Sequence, residues 1–323
     1  MAASSQPLQT ISSPPVAVSR GSSGASLGED ENGEAAELYT ETGEVNVIRD
    51  VLGTLDHVGK DSEVTLLLLE NGIKLTVVNE SKTVLANAFL QDKLFSKYAV
   101  AVGVRFTVSL TVLLECLTLF GTSSTGRPLR MIHARDGAPL VLELVEASVA
   151  TRCAIATLVA AEPIELNFAS PDVRGKAIII SSAVHDALYE LEGVAGSIAF
   201  EFVPQTRAAS AMFRMSARGS AGSCAIEFPH TSDGGGTSGG TAEVGPGAAA
   251  LIESFDTVEL ITNEYKTELV HASLRALALA SKTSIRVNTE GILSLQHMIN
   301  RGDELIFVEF FVVPDEAYEP DAA

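Results

Sequence analysis

The chain has 323 residues, 46% of them hydrophobic and 20% charged, and its 41 acidic against 22 basic side chains give a formal charge of −19. That length allows two domains with a sizeable core. The acidic balance excludes tight, self-sufficient DNA binding, which needs clustered Lys and Arg.

Residues 1–36 are rich in Ser, Gly, Pro and Ala and are expected to be a disordered N-terminal extension. Much of the negative charge is terminal: residues 1–44 hold seven acids and one Arg, and residues 315–323 hold four acids and no base. Glu37–Thr42 (ELYTET) is a weak, polar strand candidate. A helix follows near Val47–Val58, where Ile48, Val51, Leu52 and Leu55 make one apolar stripe. Strands are predicted at Val64–Leu69, Ile73–Asn79 and Thr83–Leu90, with Asn71-Gly72 as a hairpin turn. Val102–Val108 leads into a helix at Ser109–Phe120, with Leu110, Leu113, Leu114 and Leu117 inward and Gly121 as its cap. Leu129–His133, Pro139–Glu146 and Thr151–Leu158 read as three more strands. Val159–Asp172, with Pro163 and Pro171, reads as a connector.

A second round begins at Lys176–Ile180, followed by a helix at Ser182–Leu191 that turns Val184, Ala187, Leu188 and Leu191 inward. Strands are predicted at Ser197–Val203, Ala211–Ala217 and Cys224–Phe228. The low-complexity stretch 229–250 reads as a flexible insert; its Gly run lacks the Gly-Lys-Ser/Thr ending of a phosphate cradle. Strands near Thr257–Ile261 and Glu264–Leu269 precede a helix at Ala272–Ala280, and strands at Thr283–Asn288, Ile292–Ile299 and Leu305–Val313 close the round. Asn300-Arg301-Gly302-Asp303 is the last turn. The final strand is apolar on both faces apart from Glu309, so both faces should be covered. Pro314 stops the ladder, having no N–H to donate.

The order of elements thus occurs twice. The first helices of the rounds start 135 residues apart and the second helices 163 apart; the difference of 28 is close to the length of the insert. The expected division is 37–160 for domain 1, 161–172 for the connector, 173–314 for domain 2 and 315–323 for an acidic tail. Cys116, Cys153 and Cys224 are odd in number, far apart and outside any CxxC, and are expected to be reduced thiols. No His sits at metal-ligand spacing, and no apolar run is long enough to span a bilayer. No secretory leader is expected. Two acidic features invite chemistry. Asp61 and Glu63 form an Asp-x-Glu pair at a strand entrance, which a metal-dependent nuclease would need to complete with further carboxylates. Glu115 interrupts an apolar helix but shares a polar face with Thr111 and Thr118, so an exposed position is expected.

The blocks Asn71–Val77 (NGIKLTV), Ala86–Gln91 (ANAFLQ), Leu110–Gly121 (LTVLLECLTLFG), Lys282–Arg286 (KTSIR) and Gly291–Ile299 (GILSLQHMI), with the terminal FVEFFVVPDE, span most of residues 45–316 in a shared order. Together they resemble a sliding-clamp subunit of the proliferating cell nuclear antigen-like superfamily. In detail the chain resembles the Rad-one/Rec-one type subunit of the heterotrimeric checkpoint clamp, the nine-one-one complex.

That resemblance implies an α+β DNA-clamp fold: two pseudo-repeated domains, each with antiparallel sheets outside and two helices facing a central hole. It implies Rad-nine type and Hus-one type partner subunits, a checkpoint clamp loader, and double-stranded DNA held without sequence specificity. It also implies a nuclear location and recruitment of damage-signalling and repair factors, with no cofactor, metal or catalytic residue. If the helices line the hole, Arg49, His57, Lys60, His271, Arg275 and Lys282 are the DNA-facing candidates, meeting phosphates without reading sequence. Ile164, Leu166, Phe168, Val313 and Pro314 are the candidates for a groove that captures partner peptides. Two other classes compete: a 3′–5′ repair exonuclease, an activity ascribed to members of this family, and a homotrimeric processivity clamp.

Overall fold

The structure is a computed structural model that describes residues 36–60, 62–121, 128–146, 149–164, 166, 168, 172–207, 209–230, 251–301 and 304–315. The expected extension, most of the Gly-rich insert and nearly all of the acidic tail lie outside these residues, as does Asp61.

The first half runs β1 (Leu38–Thr42), α1 (Val45–Leu55), β2 (Glu63–Leu69), β3 (Gly72–Val78), β4 (Val84–Gln91), β5 (Lys97–Val100), β6 (Arg105–Ser109), α2 (Leu110–Gly121), β7 (Leu129–His133), β8 (Leu140–Glu146), β9 (Val149–Ile155) and β10 (Thr157–Leu158). The second runs β11 (Val173–Ile180), α3 (Ser181–Leu191), β12 (Ser197–Val203), β13 (Met212–Gly219), β14 (Gly222–Pro229), β15 (Ile252–Thr257) and β16 (Ile261–Lys266). It ends with α4 (Thr267–His271), α5 (Leu274–Leu279), β17 (Lys282–Asn288), β18 (Leu293–Arg301) and β19 (Glu304–Val312).

The halves repeat one pairing scheme. The order β5-β1-β7-β8-β9 recurs as β15-β11-β17-β18-β19, and β6-β2-β3-β4 recurs as β16-β12-β13-β14. The two copies then fuse. Strand β4 pairs antiparallel with β19, from Val84↔Val312 to Ala88↔Val308. This joint makes one ten-stranded sheet, β10-β6-β2-β3-β4-β19-β18-β17-β11-β15, flanked by a five-stranded sheet and a four-stranded one. Strand alternation turns Leu66, Ile73, Ala86, Ile285, Leu295 and Phe310 to one face, where they join the buried stripes of α1, α2 and α3 in one apolar core. Helices α1 and α3 bury the same four positions: Ile48, Val51, Leu52 and Leu55 in one, Val184, Ala187, Leu188 and Leu191 in the other.

Several boundaries differ from expectation, each for a local reason. The polar ELYTET segment becomes β1, the second strand of its sheet, because β5 and β7 cover both of its edges. Strand β5 was not expected; its four residues are exposed or half-buried and carry no apolar pattern. The expected Thr257–Ile261 strand lies at Ile252–Thr257 instead. Its pairing with β11 shifts register between Ile178 and Ile179, which breaks the period-2 signal. The expected Thr151–Leu158 strand divides at Ala156 into β9 and β10. The expected helix Ala272–Ala280 is present but begins at Leu274, as α5, and the end of the expected Glu264–Leu269 strand is helical, as α4; between them Ser273 is buried and its hydroxyl donates to the Val270 carbonyl at 2.9 Å. In the β2–β3 hairpin the turn residues are Glu70 and Asn71, while Gly72 opens β3.

Two histidines lie in the core. His297 is fully buried; its Nδ1 lies 3.0 Å from Thr283 Oγ1, which lies 2.7 Å from Ser181 Oγ. Burial lowers its pKa to about 3. His133 stacks on Phe106 at 4.1 Å, and burial lowers its pKa too. An unfolded chain takes up protons at these rings near pH 6.5 while the folded chain does not, so stability falls as pH drops from about 6.5 toward 3. His297 alone should remove about 2 kcal/mol between pH 7 and pH 5. Glu309, whose pKa is raised by burial, acts in the opposite sense. The His297→Gln variant isolates the histidine: its unfolding free energy should lose much of the parent's acid slope, and an unchanged slope would show that His297 is not held neutral.

Candidate nucleic-acid and partner-binding surfaces

Helix α1 packs against α5, so the helices of the two halves meet beside the β4–β19 joint. Arg275 on α5 lays Nη1 3.3 Å from the Gly53 carbonyl and 3.9 Å from Asp56 Oδ2. A cation there complements the negative C-terminal end of α1. Arg49 and Arg301 grip the two oxygens of Asp50 at 2.9 and 3.3 Å. His57 and Lys60 are exposed just beyond α1. Four of the six DNA-facing candidates therefore gather around one helix.

The other two do not join them. His271 ends α4, mostly buried, with Nδ1 3.8 Å from Glu192 Oε1. Burial lowers its pKa. The break between α4 and α5 puts His271 and Arg275 on separate helices. Lys282 opens β17 and pairs with Glu253 at 2.6 Å, on the sheet and not on a helix.

The exposed faces of α2 and α3 carry no Lys or Arg. Helix α2 shows Thr111, Val112, Glu115, Thr118 and Leu119, and α3 shows Ser182, Asp186, Tyr189 and Glu190. Glu115 sits on the open face expected of it, lining a shallow cleft with Asp56, Thr111, Leu114 and Thr118. Glu63 is exposed at the head of β2. Among the described residues no three His, Cys, Asp or Glu side chains form a group able to hold a metal.

The groove candidates lie on the connector and just beyond the last strand. Phe168 lies 5.5 Å from Phe311, and the Arg286 guanidinium sits over its ring at 5.1 Å. Val313 donates its N–H to the Thr83 carbonyl at 3.0 Å, and Pro314 follows, half-buried. Asp315 then ties the chain end to β16 through Glu264 O at 2.8 Å and to Ser197 Oγ at 2.9 Å. Ile164 and Leu166 are half-buried.

Beneath Phe168 lies a polar network that sequence reasoning missed. Arg286 Nη2 donates to Ser294 Oγ at 2.9 Å and to Glu309 Oε1, and Ser294 Oγ donates to the same oxygen at 2.7 Å. All three residues are buried. The signal was the alternation in KTSIRVN and LSLQHMI, where every second position is polar on strands with two covered faces.

Six strands are paired on one side only among the described residues: β5, β10, β15 and β16, and with them β9, beside β8, and β14, beside β13. The last two are the repeat counterparts of β19 and β4, the two strands that pair at the internal joint.

These elements define a sliding-clamp fold, and solved clamps match it. Proliferating cell nuclear antigen from Thermococcus kodakaraensis superposes with a TM-score of 0.63 at 19% identity, over 86% of this chain and 100% of that one. The Entamoeba histolytica protein of the same name gives 0.65 at 11% identity, over 87% and 99%. Residues 37–299 match the model of the family described as "Repair protein Rad1/Rec1/Rad17", and mouse "Cell cycle checkpoint protein RAD1" is 34% identical over 290 residues, 88% of this chain and 96% of that protein. The chain belongs to the Rad1/Rec1/Rad17 family of checkpoint clamp subunits.

Proposed function

We propose that this chain is one third of a heterotrimeric ring that encloses double-stranded DNA in the nucleus, with Rad-nine type and Hus-one type subunits as its neighbours. A checkpoint clamp loader places the ring at damaged or recessed ends, and the ring recruits signalling and repair factors. Each half of the chain acts as one clamp domain, with residues 161–172 between them. The observation that carries this reading is the repeat itself. The chain seals β4 against β19 internally and leaves their counterparts, β14 and β9, open at its two ends. An open strand invites sheet addition, and two different neighbours supply the missing strands.

Enclosure does not need a basic hole in every subunit. Arg49 and Arg275 are already engaged by acids and a carbonyl, so their contact with phosphate is loose, which suits sliding. Phe168, Phe311, Val313 and Pro314 line the outer groove for partner peptides.

Proline blocks strand pairing without touching the core. Ala154→Pro on β9 and Ala225→Pro on β14, both exposed and at outward-facing positions of the ladder, should each leave the free chain's melting within a few degrees of the parent, yet abolish assembly with one co-expressed partner each. Light scattering on the co-purified subunits reads the outcome. A stable ring of three identical chains would instead make this a processivity clamp, and assembly that survives both prolines would sink the edge reading.

A further inference from the structure

Helix α2 packs on β9 and brings two thirds of the chain's cysteines together. The Cys116 thiol lies beside the Cys153 sulfur, and burial first, then that neighbour, pushes the Cys116 pKa up to about 11. Both thiols are free and half-buried at the margin of the core. Cys153 belongs to an outer strand, with exposed Arg152 and Ala154 on either side. Cys116 stands behind it on the helix. Cys224 lies on β14, in the four-stranded sheet of the other half.

We propose that Cys116 and Cys153 are an oxidisable dithiol whose disulfide locks helix α2 to the edge strand β9. The oxidant is a peroxide. The Cys153 thiolate attacks one peroxide oxygen, the O–O bond breaks, and hydroxide leaves; sulfur is oxidised to the sulfenic acid and peroxide is reduced. The Cys116 sulfur then attacks the Cys153 sulfur as its own proton is lost, and the sulfenic hydroxyl leaves as water. Two thiols and one hydrogen peroxide give one disulfide and two waters. The raised pKa of Cys116 keeps it protonated at neutral pH, so Cys153 reacts with peroxide first and the attack by Cys116, which must lose its proton, is the slower step. The lock restrains an edge strand that has hydrogen bonds on one side only. It stands whether or not β9 meets a ring partner.

The test uses the purified full chain, with hydrogen peroxide as the probe. Peptide mapping without reductant should find Cys116 joined to Cys153 and Cys224 free. The melting temperature should rise by about 5 °C and fall back with dithiothreitol. Amide exchange should slow in α2 and β9. Cys116→Ser and Cys153→Ser should each abolish the shift, while Cys224→Ser should keep it. Three free thiols after treatment, a bridge to Cys224, or sulfinic acid on Cys153 beside a free Cys116 would each overturn the proposal. The map of the unsubstituted chain decides the matter even if a serine variant folds poorly.

Discussion

Replacing Gly72 with alanine is expected to destabilise the chain by about 3 kcal/mol or more. Gly72 opens β3 with φ +150°, in a region that L side chains rarely adopt. A Cβ there would stand 2.2 Å from the Leu90 carbonyl oxygen and 2.8 Å from Phe89 Cζ. The phenyl ring can turn away, but the carbonyl belongs to the β3–β4 ladder and cannot. Gly103→Ala is the control: its φ is +90°, yet nothing lies within 4 Å of the added carbon, so only backbone strain remains, about 1 kcal/mol. Denaturant unfolding of both variants measures the difference. Equal losses would mean that strain, and not the carbonyl contact, dominates at Gly72.

The second large effect is expected at the buried pair under the connector. Arg286→Met should cost about 3–5 kcal/mol, because it leaves the Glu309 carboxylate buried with only Ser294 as a partner. Removing both charges, in Arg286→Met with Glu309→Leu, should recover most of that loss. Two desolvated ions replaced by apolar groups of similar size are often neutral or stabilising. The recovery will be incomplete: Ser294 loses both of its charged partners, and Phe168 loses the cation over its ring. The check is equilibrium unfolding of the parent, both single variants and the double. A double variant no more stable than Arg286→Met alone would show that the pair stabilises the sheet outright.

Helices α1 and α3 were legible in the sequence because their stripes repeat at helical period, and both bury the stripe read for them. The final hairpin was legible for a related reason: β19 is rich in β-branched and aromatic residues, and a polar sequence separates it from the largely apolar start of β18. Strands β1, β5 and β15 were weakly legible or misplaced because tertiary pairing, and not their own composition, makes them strands. The candidate surfaces were less readable still. Arg275 is far from α1 in sequence and reaches the Gly53 carbonyl only because α5 packs on α1. Glu309 stood out as one acid in an apolar run, but its partner Arg286 is two strands away, and single-chain periodicity holds no record of which strands will be neighbours. The Cys116–Cys153 contact was hidden likewise, since spacing along the chain says nothing about a helix folding back on an edge strand.

The β4–β19 joint bears on how the chain is made. Strand β4 is synthesised first, and the strand that covers it follows more than 200 residues later. Throughout elongation the first half therefore carries a bare, largely apolar ladder of Val84, Leu85, Ala86 and Ala88, the kind of edge that pairs with neighbouring chains. Closing the ten-stranded sheet requires contacts between segments more than 200 residues apart, so its final step is slow for topological reasons. Truncation just before β19 would leave that ladder permanently open. A chain cut there should accumulate with chaperones or aggregate, although every residue of the first half is intact.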